Sequence, residues 1–525
     1  MISRPGAWRE GARQVWLPTA SEMARFDRRV LEHGATVERA LIECAGRELA
    51  HRVQHHFPRG TVHAIAGSGH NGADALVAAR TLAGWGRPVR AFLATGRAPD
   101  TNVLVGWDLL LEPASQLSND PPADGVILDG ILGTGLKGPP RDREAELIQR
   151  LAAVGLPVVA VDGPSGADLD SGAVPGACLP ADLTVSFGWP KLGLLRFPAR
   201  EYAGVIEAVE IGFPPPETPF SARAITGRWV AELLSPRPPD AHKARAGYLT
   251  IVSGQRGMAG AAVLAVRAGM RGGAGIVRAV SHPANREILQ VAAPGAVFAG
   301  WDDAESVSDA VSWSHALAIG PGMGRDADRL ALVDFVLEHR GDRPVVVDAD
   351  GLSVWQGRSD ELADRLVPGD VITPHPGELA RLLDVAVEAI VADPPASATE
   401  AARRFGCTVV LKGAPSFVAT GEEPLLVTTV GGSALAAGGS GDVLTGLIGS
   451  YLAAGMPAVS AAASALFLSG LAAELGSCPV GHAAEEIPDR IPVVREEIGR
   501  LPGYGSGSVI FASASPEKPG GGLRS

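Results

Sequence analysis

The feature that most constrains the fold is a regular alternation of strand-like and helix-like segments, which runs through the chain in two rounds. Residues 61–67, TVHAIAG, are typical of a buried strand, and the helical pattern of residues 74–86 follows shortly after. The second round starts at residues 248–254, YLTIVSG. Strands that alternate with helices form parallel sheets covered by helices on both faces. The chain is therefore predicted to be an α/β protein with doubly wound, three-layer domains.

The chain length and two proline-rich segments indicate two domains. A chain of 525 residues is too long for a single hydrophobic core. The proline-rich residues 213–219 and 234–247 separate the two rounds of strands and helices. We therefore expect one domain over residues 1–218, a second over residues 219–502, and a disordered Gly/Ser-rich tail over residues 503–525.

The composition argues against several classes of protein. The net charge is −12, whereas nucleic acids and acidic membrane surfaces bind basic proteins, so we expect neither partner. Four scattered cysteines without a CxxC pair predict neither a zinc site nor a disulfide framework, which fits a reducing compartment. The first residues lack the apolar region of a signal peptide, and no run of about 18 apolar residues predicts a membrane span. We expect a cytoplasmic homo-oligomer.

The stretch GGSGDVLTGLIGSYLAAG, residues 438–455, combines a glycine loop, one acid and an apolar helix. The apolar residues after Asp442 recur at helical spacing, so the acid lies where a helix begins. Gly438, Gly439 and Gly441 leave the backbone around it uncovered. Unpaired N–H groups and the helix dipole at such a position favour a bound phosphate. Asp442 is then a general base beside an anion site or, alternatively, an ordinary N-cap.

Three glycine-rich polar loops in the first half follow predicted strands. They lie within residues 66–80, 128–139 and 161–166. The carboxyl ends of parallel strands meet at one crevice, so we expect these loops to line one site. The polar side chains that they bring there are Asn71, Asp74, Asp129 and Asp162. The first two are suited to a ribose or a cation, and in the alternative interpretation the last two only cap turns.

The same loops resemble a known family. The motifs GSGHNGADALVAAR, DGILGTGLKGP, VDGPSGADLDSG and ADLTVSFGWPKLGLL occur in this order. They resemble the YjeF N-terminal domain, an NAD(P)H-hydrate epimerase, and the resemblance covers residues 15–215. It implies a Rossmann-like fold and the interconversion of the R and S hydrates of NAD(P)H.

This resemblance also implies the site residues of the first domain. A potassium ion would be held by Asn71, Asp129 and Ser165, and Asp162 would be the proton-transferring acid or base. Lys191, in the motif GWPKLG, would be a further member of the site. The residues implied to contact the hydrate are His70, Asn71, Gly72, Ala73, Asp74, Gly133, Thr134, Gly135, Leu136, Lys137, Gly138, Pro139 and Asp162.

The first loop departs from the family's usual GxGNNGGDG pattern at three positions. His70 stands where the family has asparagine, and Ala73 and Ala75 stand where it has glycine. An alanine with positive φ would lower the stability, and the added methyl groups would narrow the pocket. His70 is either a new catalytic group or a solvated loop residue. The first domain is accordingly either an active epimerase or a binding or scaffold module that has lost catalysis.

In the second half, polar residues again follow predicted strands. Asp348 and Asp350 are two residues apart at a strand end, which predicts that they face the same side. His375, Glu378 and Lys412 follow two later strands. Asp350, His375 and Lys412 have structural alternatives as turn, loop and surface residues, respectively. Because strand ends converge, we expect the set to form one site with the acid of the glycine loop.

These motifs resemble the ADP/ATP-dependent NAD(P)H-hydrate dehydratases, a branch of the ribokinase-like superfamily, over residues 225–500. GSGDVLTG is similar to the family's GTGDVLAG, IGPGMG to its IGPGLG, and TPHPGE matches closely. The resemblance implies a hydrate site formed by Ala261, Gly322, His375 and Asp442. It implies that ADP or ATP, with Mg²⁺ neutralising the phosphates, is held by Lys412, Gly413, Ala414, Pro415, Ser416 and Gly441.

The implied chemistry explains why an acid lies among these glycines. The glycine N–H groups approach the phosphates of ADP, while Asp442 activates the hydroxyl group that water has added to the nicotinamide ring. Phosphorylation and elimination of this hydroxyl group restore NAD(P)H. We therefore expect a bifunctional repair enzyme. The alternative is a small-molecule kinase of the hydroxymethylpyrimidine or sugar type with a non-catalytic first domain, but a plain kinase has no need for VDGPSG and DGILGTG.

Overall fold

A computed structural model describes residues 15–99, 102–117, 125–234, 243–475, 481–499 and 508–511. The described chain forms two compact units, which meet in sequence between Arg223 and Ala224. The sequence-based boundary between residues 218 and 219 stays a prediction. None of the helices in these ranges combines the length and the hydropathy that crossing a membrane requires.

The first unit alternates strands and helices. Its strands up to the boundary are β1 (Val15–Trp16), β2 (Val62–Ala66), β3 (Val89–Leu93), β4 (Leu111–Pro113), β5 (Val126–Gly130), β6 (Val158–Val161), β7 (Leu183–Phe187), β8 (Val205–Val209) and β9 (Ala222–Ala224). Its helices are α1 (Ala20–Glu32), α2 (Glu38–His56), α3 (His70–Gly84), α4 (Asp142–Val154) and α5 (Ala199–Tyr202).

Seven strands of the first unit form a parallel sheet in the order β8-β7-β6-β5-β2-β3-β4. Helices cover both faces: Val126 and Leu128 of β5 pack with α2 and α3, whereas Ile127 packs with α4. The strand order reverses between β5 and β2. In such a sheet the loops at the reversal form the ligand-binding crevice, so the glycine loops after these two strands occupy the expected place.

The second unit repeats this alternation. Its strands are β10 (Tyr248–Val252), β11 (Ile276–Ser281), β12 (Val297–Gly300), β13 (Ala316–Ile319), β14 (Val345–Val347), β15 (Val371–Ile372), β16 (Thr408–Leu411), β17 (Phe417–Ala419) and β18 (Leu425–Val427). Its helices are α6 (Gly227–Leu233), α7 (Ala259–Gly272), α8 (Arg286–Ala292), α9 (Ala304–Trp313), α10 (Ala327–His339), α11 (Asp350–Ser353), α12 (Ser359–Arg365), α13 (Pro376–Leu383), α14 (Val387–Ala392), α15 (Pro394–Phe405), α16 (Ser440–Ala453), α17 (Ala458–Glu474) and α18 (Ile487–Gly499).

The nine strands of the second unit lie in the order β18-β17-β16-β15-β14-β13-β10-β11-β12. All neighbours are parallel except β16, β17 and β18, which form an antiparallel meander. Leu249 of β10 packs against α7 and α16, while the Thr250 hydroxyl group donates to the Ala310 carbonyl of α9 at 2.9 Å, so helices again cover both faces. The strand order reverses between β13 and β10. The predicted α/β architecture of both units is confirmed.

The prediction of a disordered tail is wrong for four residues. Residues Ser508–Phe511 form β19, which belongs to the first unit and pairs antiparallel with β8. The sequence SVIF contains two β-branched residues and an aromatic residue, which favour strands. By pairing there, β19 also covers an edge of the sheet that would otherwise be open. The rest of the predicted tail lies outside the described residues.

Close packing of α7 against α16 fixes the position of the helix that follows the glycine loop of the second unit. A Cβ atom at Gly446 of α16 would overlap the carbonyl oxygen of Ala265 in α7, and one at Gly272 of α7 would overlap the Ser450 hydroxyl group. The two helices therefore approach at positions that only glycine permits. The start of α16, which carries Asp442, is held in place by this contact.

Gly446→Ala should lower the free energy of unfolding by about 2 kcal/mol, because the added methyl group forces α7 and α16 apart. Gly260→Ala on α7 is the matched control, since a Cβ atom there would meet no atom within 4 Å. The control should raise stability by about 0.5 kcal/mol through its better helix propensity. Denaturant unfolding of both variants measures the difference, and equal effects would contradict this account of the packing.

Candidate active sites

The glycine loop and Asp442 stand at the start of α16. The N-cap of the helix is Gly439, with a φ of 95°, and Asp442 is the third helical residue. The alternative interpretation of Asp442 as an N-cap is therefore wrong, and its side chain makes no capping hydrogen bond. Glycine is needed at position 439 because this φ strains other residues and because a Cβ atom would lie 2.5 Å from Leu264 Cδ1.

A buried polar network lies beside this helix start. Lys412 Nζ donates to Asp348 Oδ1 at 2.6 Å, and the Thr445 hydroxyl group donates to Asp348 Oδ2 at 2.7 Å. Asp348 is only 1% exposed, so its charge needs these partners. A Cβ atom at Gly441 would lie 3.6 Å from both Asp348 Oδ2 and Lys412 Nζ. The network thus joins the ends of β14 and β16 to the first turns of α16.

The charges of this network shift the pKa of the Asp442 carboxyl group. Its pKa is raised to about 7, first by burial and then by the negative charge of Asp348, against the lowering effect of Lys412. Asp350 contributes a further rise. At physiological pH, both the protonated and the ionised state of a carboxyl group with a pKa near 7 are populated. This property suits a group that transfers protons.

Asp348 and Asp350 do not lie on a strand. β14 ends at Val347, so the alternation that predicted a shared side does not apply to them. Between them, Ala349 has a φ of 48° and a ψ of −120°, a conformation that is strained for an L-residue. Asp350 accepts a hydrogen bond from the Gly324 N–H group at 2.9 Å, and thereby ties the loop after β13 to this turn.

His375 and Glu378 cap the start of α13. His375 Nδ1 accepts hydrogen bonds from the N–H groups of Gly377 and Glu378, at 3.0 and 3.3 Å, and Glu378 Oε2 accepts from the His375 N–H group at 2.9 Å. This reciprocal arrangement fixes the imidazole ring. Burial lowers the pKa of His375, although half of its side chain is exposed. Glu378 Oε2 also lies 3.9 Å from Lys412 Nζ, so the cap adjoins the buried network.

Ala261 and Gly322, both predicted for the hydrate site, contact each other. Gly322 has a φ of 59°, and a Cβ atom there would lie 2.9 Å from Ala261 Cβ. Leu264, which lies against Gly439, follows Ala261 by about one turn on α7. The predicted hydrate residues therefore extend from the start of α16 along α7 to the loop after β13.

The predicted nucleotide loop, residues 412–416, directly follows β16. It closes on itself through Ser416, whose hydroxyl oxygen accepts from the Gly413 N–H group at 3.1 Å and donates to the Gly413 carbonyl at 3.0 Å. Lys412 opens the loop, and its ammonium group points back into the buried network. The loop thereby carries a positive charge to the start of α16.

The start of α16 has the properties of an anion site. Within the described residues, the backbone N–H groups of Gly441 and Asp442 donate no hydrogen bond. Open space surrounds Gly438, where a Cβ atom would meet no atom within 4 Å. Two available N–H groups, open space and the ammonium group of Lys412 together suit a phosphate group.

In the first unit, Asp162 and Lys191 form a buried ion pair. Asp162 has a φ of 65°, which turns its side chain at the end of β6. Its Oδ1 atom accepts from Lys191 Nζ, from the Ser186 hydroxyl group at 3.1 Å and from the Phe187 N–H group at 2.9 Å. Lys191 is 1% exposed. The structure thus places Lys191 directly beside the predicted acid or base.

The three residues predicted to bind potassium lie around the end of β5. Asp129 accepts hydrogen bonds from the backbone N–H and hydroxyl groups of Ser165, at 2.8 and 2.5 Å. A Cβ atom at Gly133 would overlap the side-chain amide of Asn71, so Asn71 lies against the loop after β5. Burial raises the pKa of Asp129 to about 6, while hydrogen bonds from Ser165 lower it. A buried carboxyl, a hydroxyl and an amide oxygen are the hard donors that suit an alkali cation.

The predicted loop residues 70–74 form the first turn of α3. His70 is 69% exposed and its Nε2 atom lies 2.8 Å from Glu38 Oε1, which fits a solvated residue. Ala73 is helical and has no positive φ, so the strain considered for it does not arise. Gly72 is needed because a Cβ atom there would overlap the Gly67 carbonyl oxygen. Asp74 is buried in the same turn.

The second predicted loop, residues 133–139, is largely exposed. Lys137 is 71% exposed and pairs with Asp170 at 3.0 Å. The Leu136 N–H group donates to the Gly133 carbonyl at 3.2 Å and forms a turn. These residues lie at the same sheet edge as Asp129; Lys137 and Pro139 are exposed, whereas Thr134 and Leu136 are half-buried.

Sequence reasoning did not assign Thr445 or Asp27 to a site. Thr445 follows Asp442 by three residues on α16, so helical spacing places the two on neighbouring positions and was the available signal. Asp27 lies on α1, far in sequence from the glycine loops, and no motif marks it. Burial raises the pKa of Asp27 to about 6, and the charge of Asp162 raises it while Lys191 lowers it.

Both units match known protein families. Residues 249–489 match the family described as NAD(P)H-hydrate dehydratase, and residues 38–193 match the YjeF-related protein N-terminus family. Each match falls within one of the two units. The matches include Asp442 and Asp162 but not Asp27.

Two similar proteins share one name. The bifunctional NAD(P)H-hydrate repair enzyme Nnr of Vibrio cholerae is 37% identical over 72% of this chain and 76% of the relative. The enzyme of the same name from Moorella thermoacetica is 32% identical over 94% of this chain and 100% of the relative. A solved ADP/ATP-dependent NAD(P)H-hydrate dehydratase from Bacillus subtilis, co-crystallized with ATP/Mg²⁺, is 29% identical, covering 52% of this chain and 97% of that chain with a TM-score of 0.46.

We expect the free energy of unfolding to fall as the pH rises, because the partly buried carboxyl group of Asp442 then ionises. Its pKa of about 7 exceeds the ordinary 3.8, so between these pH values the folded state binds more protons than the unfolded state. Stability therefore falls from about pH 4 to about pH 7. Asp442→Asn should raise the free energy of unfolding by at least about 1 kcal/mol at about pH 8 and by less at about pH 5.

The matched control for this stability measurement is Glu422→Gln in the exposed turn between β17 and β18. Denaturant unfolding of both variants and of the wild type at the two pH values gives the differences. A gain for Asp442→Asn that is the same at both pH values, or no gain at all, would contradict the burial argument.

Proposed function

The chain belongs to the bifunctional NAD(P)H-hydrate repair enzymes, and we propose that its two units divide the two reactions of this repair. The second unit removes water from the S hydrate of NAD(P)H with ADP or ATP as phosphoryl donor. The first unit interconverts the R and S hydrates and so supplies the usable epimer. The observation that carries the proposal is the half-buried carboxyl group of Asp442 beside free N–H groups and the ammonium group of Lys412.

Dehydration begins with activation of a hydroxyl group. Hydration of NAD(P)H leaves the hydroxyl group on the ring carbon next to nitrogen and a proton on the following carbon. The ionised Asp442 accepts the hydroxyl proton while the oxygen attacks the terminal phosphorus atom of the nucleotide. The new O–P bond forms as the bond from this phosphorus atom to the shortened nucleotide breaks. A pKa of about 7 lets Asp442 accept this proton near neutral pH.

Elimination then restores the reduced nicotinamide. Phosphate leaves more readily than hydroxide, and the lone pair of the ring nitrogen assists departure as the C–O bond breaks. The departing phosphate takes up the proton of the neighbouring carbon, and the electron pair of that C–H bond re-forms the double bond of NAD(P)H. Ala261, Gly322 and His375 would contact the hydrate during these steps, and the capping box of α13 supports this role by fixing the His375 ring.

Residues 412–416 and Gly441 would hold the nucleotide. Burial alone lowers the pKa of Lys412, but the charges of Asp348 and Glu378 outweigh it and raise the pKa, so the ammonium group stays charged. Mg²⁺ would neutralise part of the negative charge of the nucleotide's phosphates. No three His, Cys, Asp or Glu side chains of the described chain come together as metal ligands, so phosphates and water would provide most of the ligands, as is usual for Mg²⁺.

The Asp162–Lys191 pair would act in the first unit. Asp162 transfers the proton, and Lys191 fixes its carboxylate. Residues 70–74 and 133–139 would contact the hydrate. K⁺, held by Asn71, Asp129 and Ser165, would supply a fixed positive charge against the buried Asp129 carboxylate. The solvated His70 and the unstrained Ala73 support an active epimerase over a scaffold that has lost catalysis.

The setting of the reactions is also proposed. We expect a cytoplasmic homo-oligomer that binds neither nucleic acid nor membrane, which the net charge of −12 supports. The cysteines Cys44, Cys178 and Cys407 are free thiols, as in a reducing compartment. Val105 and Leu110, 77% and 78% exposed, are apolar groups suited to a subunit interface. The relatives' bifunctional repair activity disfavours the kinase alternative.

Asp442→Asn should abolish the dehydratase, because a neutral amide cannot accept the hydroxyl proton. The rate of NADH formation from the S hydrate with ADP and Mg²⁺ should fall by at least about 100-fold. The wild-type rate should rise with pH through about 7 as Asp442 ionises. Recovery of the near-ultraviolet absorbance of NADH measures both. R/S exchange by the same preparation is the folding control, and wild-type dehydratase rates in the variant would refute the assigned role.

Asp129→Asn should slow R/S exchange at least about 10-fold, because a neutral side chain no longer holds the cation. Replacing K⁺ by tetramethylammonium should slow the wild type similarly. Chromatographic separation of the epimers measures the exchange, and Glu146→Gln, an exposed carboxylate of α4, is the control variant. Wild-type exchange that is independent of K⁺ would rule out the cation site.

A further inference from the structure

Two carboxyl groups of the first unit, those of Asp27 and Asp74, each have one buried oxygen atom without a hydrogen-bond partner in the described chain. Oδ1 of Asp27 and Oδ1 of Asp74 are closed to solvent and accept no hydrogen bond within the described chain. Asp74 is only 5% exposed. A buried carboxyl oxygen without a donor costs free energy, and folded proteins keep few of them outside functional sites. Both groups lie close enough to Asp162 and Lys191 for those charges to shift their pKa values.

The nearby cation cannot satisfy these two groups. An ammonium group has three protons. Lys191 donates to Asp162 Oδ1, to the Phe187 carbonyl at 3.1 Å and to the Ser186 hydroxyl oxygen at 3.3 Å. Its donors are thus already committed to the end of β7 and to Asp162. The free oxygens of Asp27 and Asp74 are left for a molecule that enters the site.

The fold holds Asp27 in this position firmly. Its neighbour Phe26 packs edge-on against Trp189, with ring centroids 5.5 Å apart. The Leu192 N–H group donates to the Pro18 carbonyl at 2.9 Å, which ties the segment before α1 to the residue after Lys191. Helix α1 is therefore anchored to the same short segment that carries the buried cation.

The proposed reaction of this unit needs two proton-transfer groups. Inverting the hydroxyl-bearing carbon requires its C–O bond to break and a new C–O bond to form from the other face. The departing hydroxyl group takes up a proton and leaves as water, while the ring nitrogen donates its electron pair. Water then adds to the opposite face and gives a proton to a carboxylate. Protons and oxygen balance, and one carboxylate at one face cannot serve both events.

We propose that Asp27 is the second catalytic residue of the R/S exchange, giving its proton to, or taking it from, the oxygen on one face while Asp162 serves the other. This assignment rests on the proposed epimerase function of the first unit. Asp74, with its free oxygen in the same cluster, accepts a hydrogen bond from the hydrate. Asp27 lies outside residues 38–193, which match the epimerase-related family.

The charges around Asp27 support this role. The groups that face it are Asp162, Lys191, His70 and Asp74. Burial raises its pKa to about 6; Lys191 lowers it, Asp162 raises it and His70 lowers it. At that pKa both protonation states are available near neutral pH, as a group that alternates between acid and base requires.

Asp27→Asn is the test, with Glu32→Gln, an exposed carboxylate at the end of the same helix, as the matched control. The rate of R/S exchange is measured over about pH 5 to about pH 8 in the full-length protein with K⁺. Asp27→Asn should lower kcat by at least about 100-fold and remove the limb of the pH profile near 6, while KM changes little. Glu32→Gln should retain the wild-type profile.

Three outcomes would overturn the assignment. Asp27→Asn with wild-type kcat and pH profile refutes it alone, because the wild type still exchanges the epimers. A raised KM with unchanged kcat and profile would show contact without proton transfer and would also refute it. A wild type that does not accelerate exchange removes the epimerase function and the assignment together. Thermal unfolding checks folding, and Asp27→Glu, which restores a carboxyl group, should recover part of kcat.

Discussion

The partial burial of the Asp442 carboxyl group beside the Asp348–Lys412 ion pair is the constraint on which the second unit depends. Lys412 forms its hydrogen-bonded ion pair with Asp348, so the ammonium group offsets only part of the effect of burial and of the Asp348 charge, and the pKa of Asp442 is raised to about 7. Such a group is costly to the fold and useful to a reaction that moves one proton. The close contact of α7 with α16 holds the acid in place despite this cost.

Both units use the same construction. Each sheet reverses its strand order once, and glycine loops follow the strands at the reversal. Each site also contains a non-glycine residue with positive φ at a strand end, Asp162 in the first unit and Ala349 in the second. Such strain persists where the surroundings fix the backbone, and it turns neighbouring acids towards the crevice. The two sites differ in their cation, which is Lys191 in one and Lys412 in the other.

The sequence predicts the long, periodic elements because their apolar spacing is a local property. The helices at Asp442 and at residues 457–476 and the buried parallel strands follow this rule. The strands β17 and β18 were not predicted, because they form an antiparallel meander with β16 and so interrupt the alternation of strands and helices on which the prediction rests. The tail strand β19 depends on pairing with β8, about 300 residues earlier in the chain, and glycines around it mask its pattern.

The site residues divide in the same way. Asp442, His375 and Lys412 stand in motifs that mark strand ends and helix starts, so the sequence alone predicts them as site residues. The prediction from strand alternation does not apply to Asp348 and Asp350, because β14 ends at Val347, directly before Asp348. No local sequence pattern could predict Asp27 as a site residue. Asp27 comes close to Lys191 only because α1 packs against the segment after β7 in the folded chain.

The central claim is tested most directly by a crystal structure of the full-length Asp442→Asn variant with ADP, Mg²⁺ and the S hydrate of NADH. We predict the terminal phosphate within about 3 Å of the Gly441 N–H group and of Lys412 Nζ, with the hydrate's hydroxyl group against the side chain at position 442. A nucleotide bound away from residues 412–416 and Gly441, or a hydroxyl group turned away from position 442, would contradict the account.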